Sequence, residues 1–154
     1  MYARDHALIA TPIGPIRIEG DEETVLRVTL GVAEPVADGR YAAVRAAAEQ
    51  LRAYFAGELK SFDLPLPMIA SARGQVLRDG LVALPYGETA SYGELARRLD
   101  SGPRAIGQLC ARNSLPVIIP CHRVTAAGGA LGSYSAGDGP ATKKWLLDHE
   151  QRHA

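Results

Sequence analysis

Aromatic side chains are scarce in this sequence, 6% with one tryptophan and two phenylalanines, so any core it builds is aliphatic. Cysteine is scarcer still. Cys110 and Cys121 cannot form a disulfide framework, and no Cys/His/carboxylate cluster has the spacing of a metal site. The sequence therefore implies no metal, no cofactor and a thiol kept reduced. Long hydrophobic runs are missing, which excludes a membrane-spanning helix, and Met1-Tyr2-Ala3-Arg4-Asp5-His6 lacks signal-peptide architecture. These absences read as a soluble cytoplasmic protein with no membrane partner. An excess of one charge is absent too: seventeen basic residues balance seventeen acidic ones, which argues against a protein that coats nucleic acid. A local footprint survives. Residues 1–60 carry seven Lys/Arg against nine Asp/Glu, whereas residues 92–123 hold five arginines against Glu94 and Asp100. That modest basic patch reads equally well as a solvated helix face.

What is present is 154 residues with 47% hydrophobic content, enough for one domain or two small ones. Residues 7–19 read as two strands joined by the turn Thr11-Pro12-Ile13-Gly14-Pro15, with Ile16-Arg17-Ile18 on the return. Asp21-Glu22-Glu23 reads as an exposed acidic turn, residues 24–30 as a third strand and 31–40 as a loop. The Ala-rich stretch from Tyr41 to Gly57 places Val44, Ala47, Ala48, Leu51, Tyr54 and Phe55 at helical spacing. Strands followed by a helix make a small α/β lobe, residues 1–64, in which nothing looks chemical. Leu64-Pro65-Leu66-Pro67 marks the boundary to a mainly helical second domain, residues 68–154.

There, residues 70–84 are expected to form a helix with Val76, Leu77, Leu81 and Leu84 on its apolar face. Ser91 stands three residues before Glu94, a capping box opening a helix to Leu99. Asp100-Ser101-Gly102-Pro103 turns the chain into a second helix, with Ile106, Leu109 and Cys110 facing the core and Arg104 and Arg112 outward. Two short helices around such a turn read as helix-turn-helix, whose second helix enters DNA. The glycine-rich stretch 126–139 is a long loop. Thr142 is expected to cap a final helix ending near Glu150, where an acidic residue is mildly unfavourable and so invites another explanation.

The chain is organised around Ile118-Ile119-Pro120-Cys121-His122-Arg123-Val124. Pro120 forces extended geometry on Ile119 and cannot donate to a sheet, so the chain arrives straight and turns. A cysteine on a fixed turn is aimed. The thiolate is the nucleophile, a free thiol titrates near ~8.5, and the neighbouring His122 and Arg123 are groups that ease deprotonation. Read without further context, the pair also fits a buried small cysteine beside a surface histidine.

Pro120-Cys121-His122-Arg123-Val124 resembles the acceptor motif of the O6-alkylguanine-DNA alkyltransferases, the methylated-DNA–protein-cysteine methyltransferases. Tyr86-Gly87-Glu88-Thr89, Ser91-Tyr92-Gly93-Glu94-Leu95-Ala96, Arg104-Ala105-Ile106-Gly107 and Arg112-Asn113 are similar to that family in the same order. So are Gly132-Ser133-Tyr134-Ser135 and Lys144-Trp145-Leu146-Leu147-Asp148-His149-Glu150. The resemblance is strongest over residues 84–150. It departs from the family in Ala72-Arg73-Gly74-Gln75-Val76-Leu77, in a shorter turn before Arg104 and in a longer loop at 137–140.

The resemblance implies single-use DNA repair: Cys121 accepts the alkyl group of an O6-alkylguanine, with O4-alkylthymine as a further candidate base. Its partner would be double-stranded DNA and its working form a monomer, nucleoid-associated when bound. It implies that His122, through a water and polarised by Glu150, takes the thiol proton, that Tyr92 donates to the departing guanine, and that Asn113 buttresses the turn. Arg104 would fill the stack vacated by the flipped base. Tyr134 would wall the pocket, and Ser135 with the backbone of Cys121 and Val124 would hold the base edge. Arg123, Ala105 and Gly107 would belong to the DNA-contacting surface. Lys143 or Lys144 would neighbour the site, and Cys110 would be core packing. Two other readings remain open on the residues: a lesion-binding protein that transfers nothing, and a cysteine hydrolase using Cys121 and His122.

Overall fold

In a computed structural model, residues 4–154 are described; Met1-Tyr2-Ala3 of the N-terminal stretch lie outside the described residues. The chain divides into two compact units, one up to Pro67 and one from Met68 onward.

The first unit is an antiparallel meander with one helix. Strands β1 (Asp5–Ile9), β2 (Ile16–Gly20) and β3 (Val25–Leu30) pair in sequence order, with Ala7 opposite Ile18 and Ile18 opposite Val28. Helix α1 (Ala42–Phe55) buries the face predicted from its spacing, Val44, Ala47, Ala48, Leu51, Tyr54 and Phe55, and Ala43 with it. Asp21 departs from the expected exposed turn. It is buried, and its carboxylate accepts from the Glu23 and Thr24 backbone amides at 2.9 and 2.8 Å, an Asx turn that closes the β2–β3 connection. Those backbone bonds, led by Glu23, hold its pKa below the ordinary carboxylate value.

The second unit carries helix α2 (Ala72–Val82), the two-residue strand β4 (Ala90–Ser91), α3 (Tyr92–Arg98), α4 (Pro103–Ala111), the two-residue strand β5 (Val124–Thr125) and α5 (Pro140–His153). A single 3-10 turn, Cys121–Arg123, precedes β5, and another, Ala127–Gly129, follows it. Ser71 caps α2 by accepting from Gly74 N, and Leu77 and Leu81 are buried; Val76, expected on that face, is 49% exposed. Gly80 lets the Leu99 side chain lie directly on α2, where a Cβ would force that leucine to shift; this contact closes α2 on the end of α3. The α3–α4 pair is the expected helix-turn-helix. Ser91 Oγ accepts from Glu94 N at 3.1 Å, and the turn passes through Asp100 at φ +53°. Arg73 holds that turn by donating to the Leu99 and Asp100 carbonyls, both at 2.6 Å.

β4 and β5 pair in parallel, Ala90 opposite Val124, and so fasten the start of α3 to the exit of the cysteine turn. At α5 the cap is Gly139, not Thr142. Thr142 lies inside the first turn, where its Oγ1 accepts from Asp138 N at 2.9 Å. The helix continues to His153, so Glu150 is not its end residue.

Candidate functional site

The approach to Cys121 is built from a strained turn. Val117, a β-branched residue, takes φ +73° while 99% buried, a conformation tolerated only where its surroundings impose it. Ile119 N donates to Leu115 O at 2.9 Å, and Cys121 N to Ile119 O at 2.8 Å. Asn113 ties the turn together. Its Oδ1 accepts from Leu115 N at 2.9 Å, and its Nδ2 donates to Ile119 O at 3.2 Å and to Cys121 Sγ at 3.4 Å. The C-cap of α4 is Arg112, so Asn113 is committed to the cysteine turn.

Cys121 is only 4% exposed, at the floor of a cavity of about 490 Å³. Tyr92, Pro103, Arg104, Gly107, Cys110 and Tyr134 contribute to its wall, with Ala111, Ser133 and Ser135. The volume lies within the ~300–1,000 Å³ of small-ligand sites. Arg104 and Ser135 are exposed at its rim, and the Tyr134 hydroxyl is buried with no protein partner among the described residues. Burial keeps the Tyr134 and Tyr92 hydroxyls protonated well past neutral pH.

His122 sits under the turn, fully buried. Its Nε2 lies 2.7 Å from Glu150 Oε2 and its Nδ1 takes no protein partner. Burial lowers its pKa, more than the Glu150 contact raises it, so the ring is neutral, Nε2–H donates to the carboxylate and Nδ1 keeps a lone pair. Among the described residues there is no direct His122–Cys121 hydrogen bond. Glu150 also receives Gly87 N at 3.1 Å and both Arg123 Nε and Nη2, at 2.8 and 3.0 Å. Burial opposes its ionisation, but the bonds from His122 and Arg123 outweigh it and hold the carboxyl far below the usual range.

Two expectations change at this point, and a third, left open between two lysines, is resolved. Arg123 is 5% exposed, with its remaining Nη1 donating to Leu84 O at 2.7 Å; every face of the guanidinium is occupied inside the protein, so it is not presented to DNA. Cys110 is half-buried and lines the cavity together with Cys121, so it is not core packing. Of the two lysines, Lys144 is exposed and pairs with Asp148 at 2.7 Å, while Lys143 is fully buried. Lys143 Nζ donates to Val124 O at 2.6 Å and to Ser133 O at 3.2 Å, linking the glycine-rich loop to β5. No sequence signal separates these neighbours except the helical spacing that puts 143, 146 and 150 on one buried face.

The two thiols titrate as a pair. Their mutual hydrogen bond, then burial, pushes Cys121 well above the ordinary thiol value, and the same bond pulls Cys110 down. The Asn113 amide and the Lys143 cation act the other way on Cys121, favouring its thiolate.

Residues 74–152 match the 6-O-methylguanine DNA methyltransferase, DNA binding domain, and residues 6–68 match the 6-O-methylguanine DNA methyltransferase, ribonuclease-like domain. The chain belongs to this family. Its activity is DNA repair by alkyl transfer to a cysteine, and DNA is its partner. Among curated relatives, the methylated-DNA–protein-cysteine methyltransferase of Methanosarcina acetivorans is 39% identical over 140 residues, 86% of this chain and 90% of the relative. The constitutive enzyme of Bacillus subtilis is 36% identical over 92% of each chain. The crystal structure of Mycobacterium tuberculosis OGT in complex with DNA aligns with TM-score 0.81 and 35% identity, covering 97% of this chain and 94% of that one.

Proposed function

We propose that Cys121 is the alkyl acceptor and that O6-alkylguanine in double-stranded DNA is the substrate, with O4-alkylthymine as a second base. The observation that carries this is Cys121 lining a cavity of about 490 Å³ between the helix-turn-helix and the glycine-rich loop, with an unpartnered imidazole nitrogen on the same turn. Through a bridging water, His122 Nδ1 takes the thiol proton while Glu150 holds Nε2–H. The thiolate attacks the alkyl carbon in line with the C–O bond; the S–C bond forms, and the C–O electron pair stays on the guanine. Tyr92, with its hydroxyl kept protonated, donates to the departing base. Asn113 and Lys143 favour the thiolate.

Reaching Cys121 requires the base to leave its stack, at a cost of a few kcal/mol. Arg104 on α4 fills the gap, and Ala105 and Gly107 let the helix approach the duplex closely. Tyr134 forms the pocket wall, and Ser135 with the Cys121 and Val124 backbone holds the base edge. Val124 O already accepts from Lys143, so its second lone pair is the one left for the base. The thioether product is not hydrolysed by these groups, so each molecule acts once. The cavity and the groups behind it all belong to the second unit of one chain, which supports a monomer, and a reduced thiol is the form a cytoplasm would maintain.

The test is intact-protein mass after incubation with O6-methylguanine duplex. The expected result is a gain of one methyl-for-hydrogen exchange, saturating at one per molecule and absent in Cys121→Ala, which still binds DNA through arginines and backbone amides. Stoichiometric transfer by Cys121→Ala would remove Cys121 from the role.

A further inference from the structure

The transfer reaction leaves one nucleophile of the cavity without a task. Cys110 stands in the last turn of α4 and faces the same space as Cys121. These are the free cysteines of the described residues; both line that one cavity, and the side chain of each acts on the ionisation of the other. Both feel the Lys143 cation, which favours the thiolate form of each. Cys121 is on a three-residue 3-10 turn and Cys110 is followed by the non-helical Arg112 and Asn113, so neither sulfur is locked in the middle of a long helix.

We propose that Cys110 is a resolving cysteine, which closes a reversible disulfide with Cys121 when a peroxide oxidises the pair. The Cys121 thiolate attacks one peroxide oxygen; the O–O bond breaks, leaving a sulfenic acid and hydroxide. The Cys110 thiol then attacks the Cys121 sulfur; the S–S bond forms, the S–O bond breaks, and hydroxide leaves with the thiol proton as water. In sum two thiols lose two electrons and two protons, and the peroxide is reduced to water. Attack starting from Cys110 gives the same product. A dithiol reverses the step by thiol–disulfide exchange. Without a partner, the sulfenic acid goes on to sulfinic and sulfonic acids, which thiols do not reduce. The acceptor thus has two fates that exclude each other: irreversible alkylation by DNA, and a reversible sulfur cap under oxidative stress.

The inference rests on Cys121 as acceptor only for its activity readout; the mass readout stands without it. The full chain is treated with hydrogen peroxide and analysed by non-reducing intact mass, then by transfer from O6-methylguanine duplex before and after dithiothreitol. Wild type should lose about two mass units as a monomer, both thiols disappearing together, and dithiothreitol should restore mass and transfer. Cys110→Ser and Cys110→Ala, each compared with its own untreated activity, should instead gain oxygen. At least several-fold less of their lost transfer should be recoverable. Oxygen gain without the two-unit loss in wild type, or equal recovery in the Cys110 variants, would overturn the proposal. If the two-unit loss appears in a protein that does not methylate Cys121, the disulfide stands and the acceptor assignment falls.

Discussion

Lys143 is the side chain whose position has the widest reach in the site. Fully buried, it bonds two carbonyls and faces two thiols, with no carboxylate among its described partners. Burial lowers its own pKa, and the cysteines are the groups that hold the charge in place. Lys143→Met should therefore raise the Cys121 thiol further and move the rising limb of the transfer rate to higher pH. Each lost hydrogen bond to a charged group would also cost about 1.5–3 kcal/mol of stability. A pH–rate profile of the folded variant that overlays wild type would reduce Lys143 to a loop tie. Glu150 is the second such side chain. Glu150→Gln leaves the buried Arg123 without its anion, a change worth about 3–5 kcal/mol, and loosens the ring of His122, where base catalysis contributes about 10²–10⁴-fold. Denaturant midpoints and transfer rates measured on one preparation should both fall; an unchanged rate would remove His122 from the proton path. The roles expected of Cys121, His122 and Glu150 came through family resemblance, and the structure brings His122 and Glu150 together beneath the cysteine turn. That Arg123 turns inward and Cys110 outward was not readable in the sequence, because adjacent and helical positions carry no record of which carbonyl or carboxylate lies opposite.

In the proposed complex the helix-turn-helix is the element that brings DNA to the thiol. Its helices were visible from Ser91 with Glu94, from Gly102-Pro103 and from the apolar Ile106, each of which has a local physical meaning. Its closure was not visible. Arg73 caps the turn from α2, and Gly80 admits Leu99, contacts between residues distant in sequence. The left-handed Val117 was equally hidden, since nothing in its type favours that backbone. Arg104 is exposed at the second residue of α4 and at the cavity rim, so its loss should hurt most where unstacking is costly. Arg104→Ala is expected to slow repair of a duplex lesion far more than of a single strand, and to leave transfer from free O6-benzylguanine nearly unchanged. A phosphate-contacting arginine would instead weaken all DNA binding evenly and cut its salt slope by roughly one. Equal losses on duplex and single strand would assign Arg104 to docking.

For the protein as a folding system, the buried His122–Glu150–Arg123 cluster sets the acid limit. The folded pKa of His122 is lowered from 6.5, so below that value the unfolded chain binds its proton first and stability falls. Glu150, lowered from 4.5, contributes stability above 4.5 that is lost as pH drops further. Melting temperature should therefore decline from pH 6.5 downward and steepen below 4.5, and His122→Gln should flatten the upper part of that decline. A wild-type melting temperature constant between those limits would contradict the neutral imidazole. The position of Glu150 in the chain also has a consequence in time. On a ribosome adding about 5–20 residues per second, Cys121 is made some seconds before the carboxylate that orients its neighbour. Until α5 has been synthesised and docked, the nascent chain carries Cys121 beside a His122 without its carboxylate, and on the proposed proton path alkyl transfer stays slow until the second unit has folded.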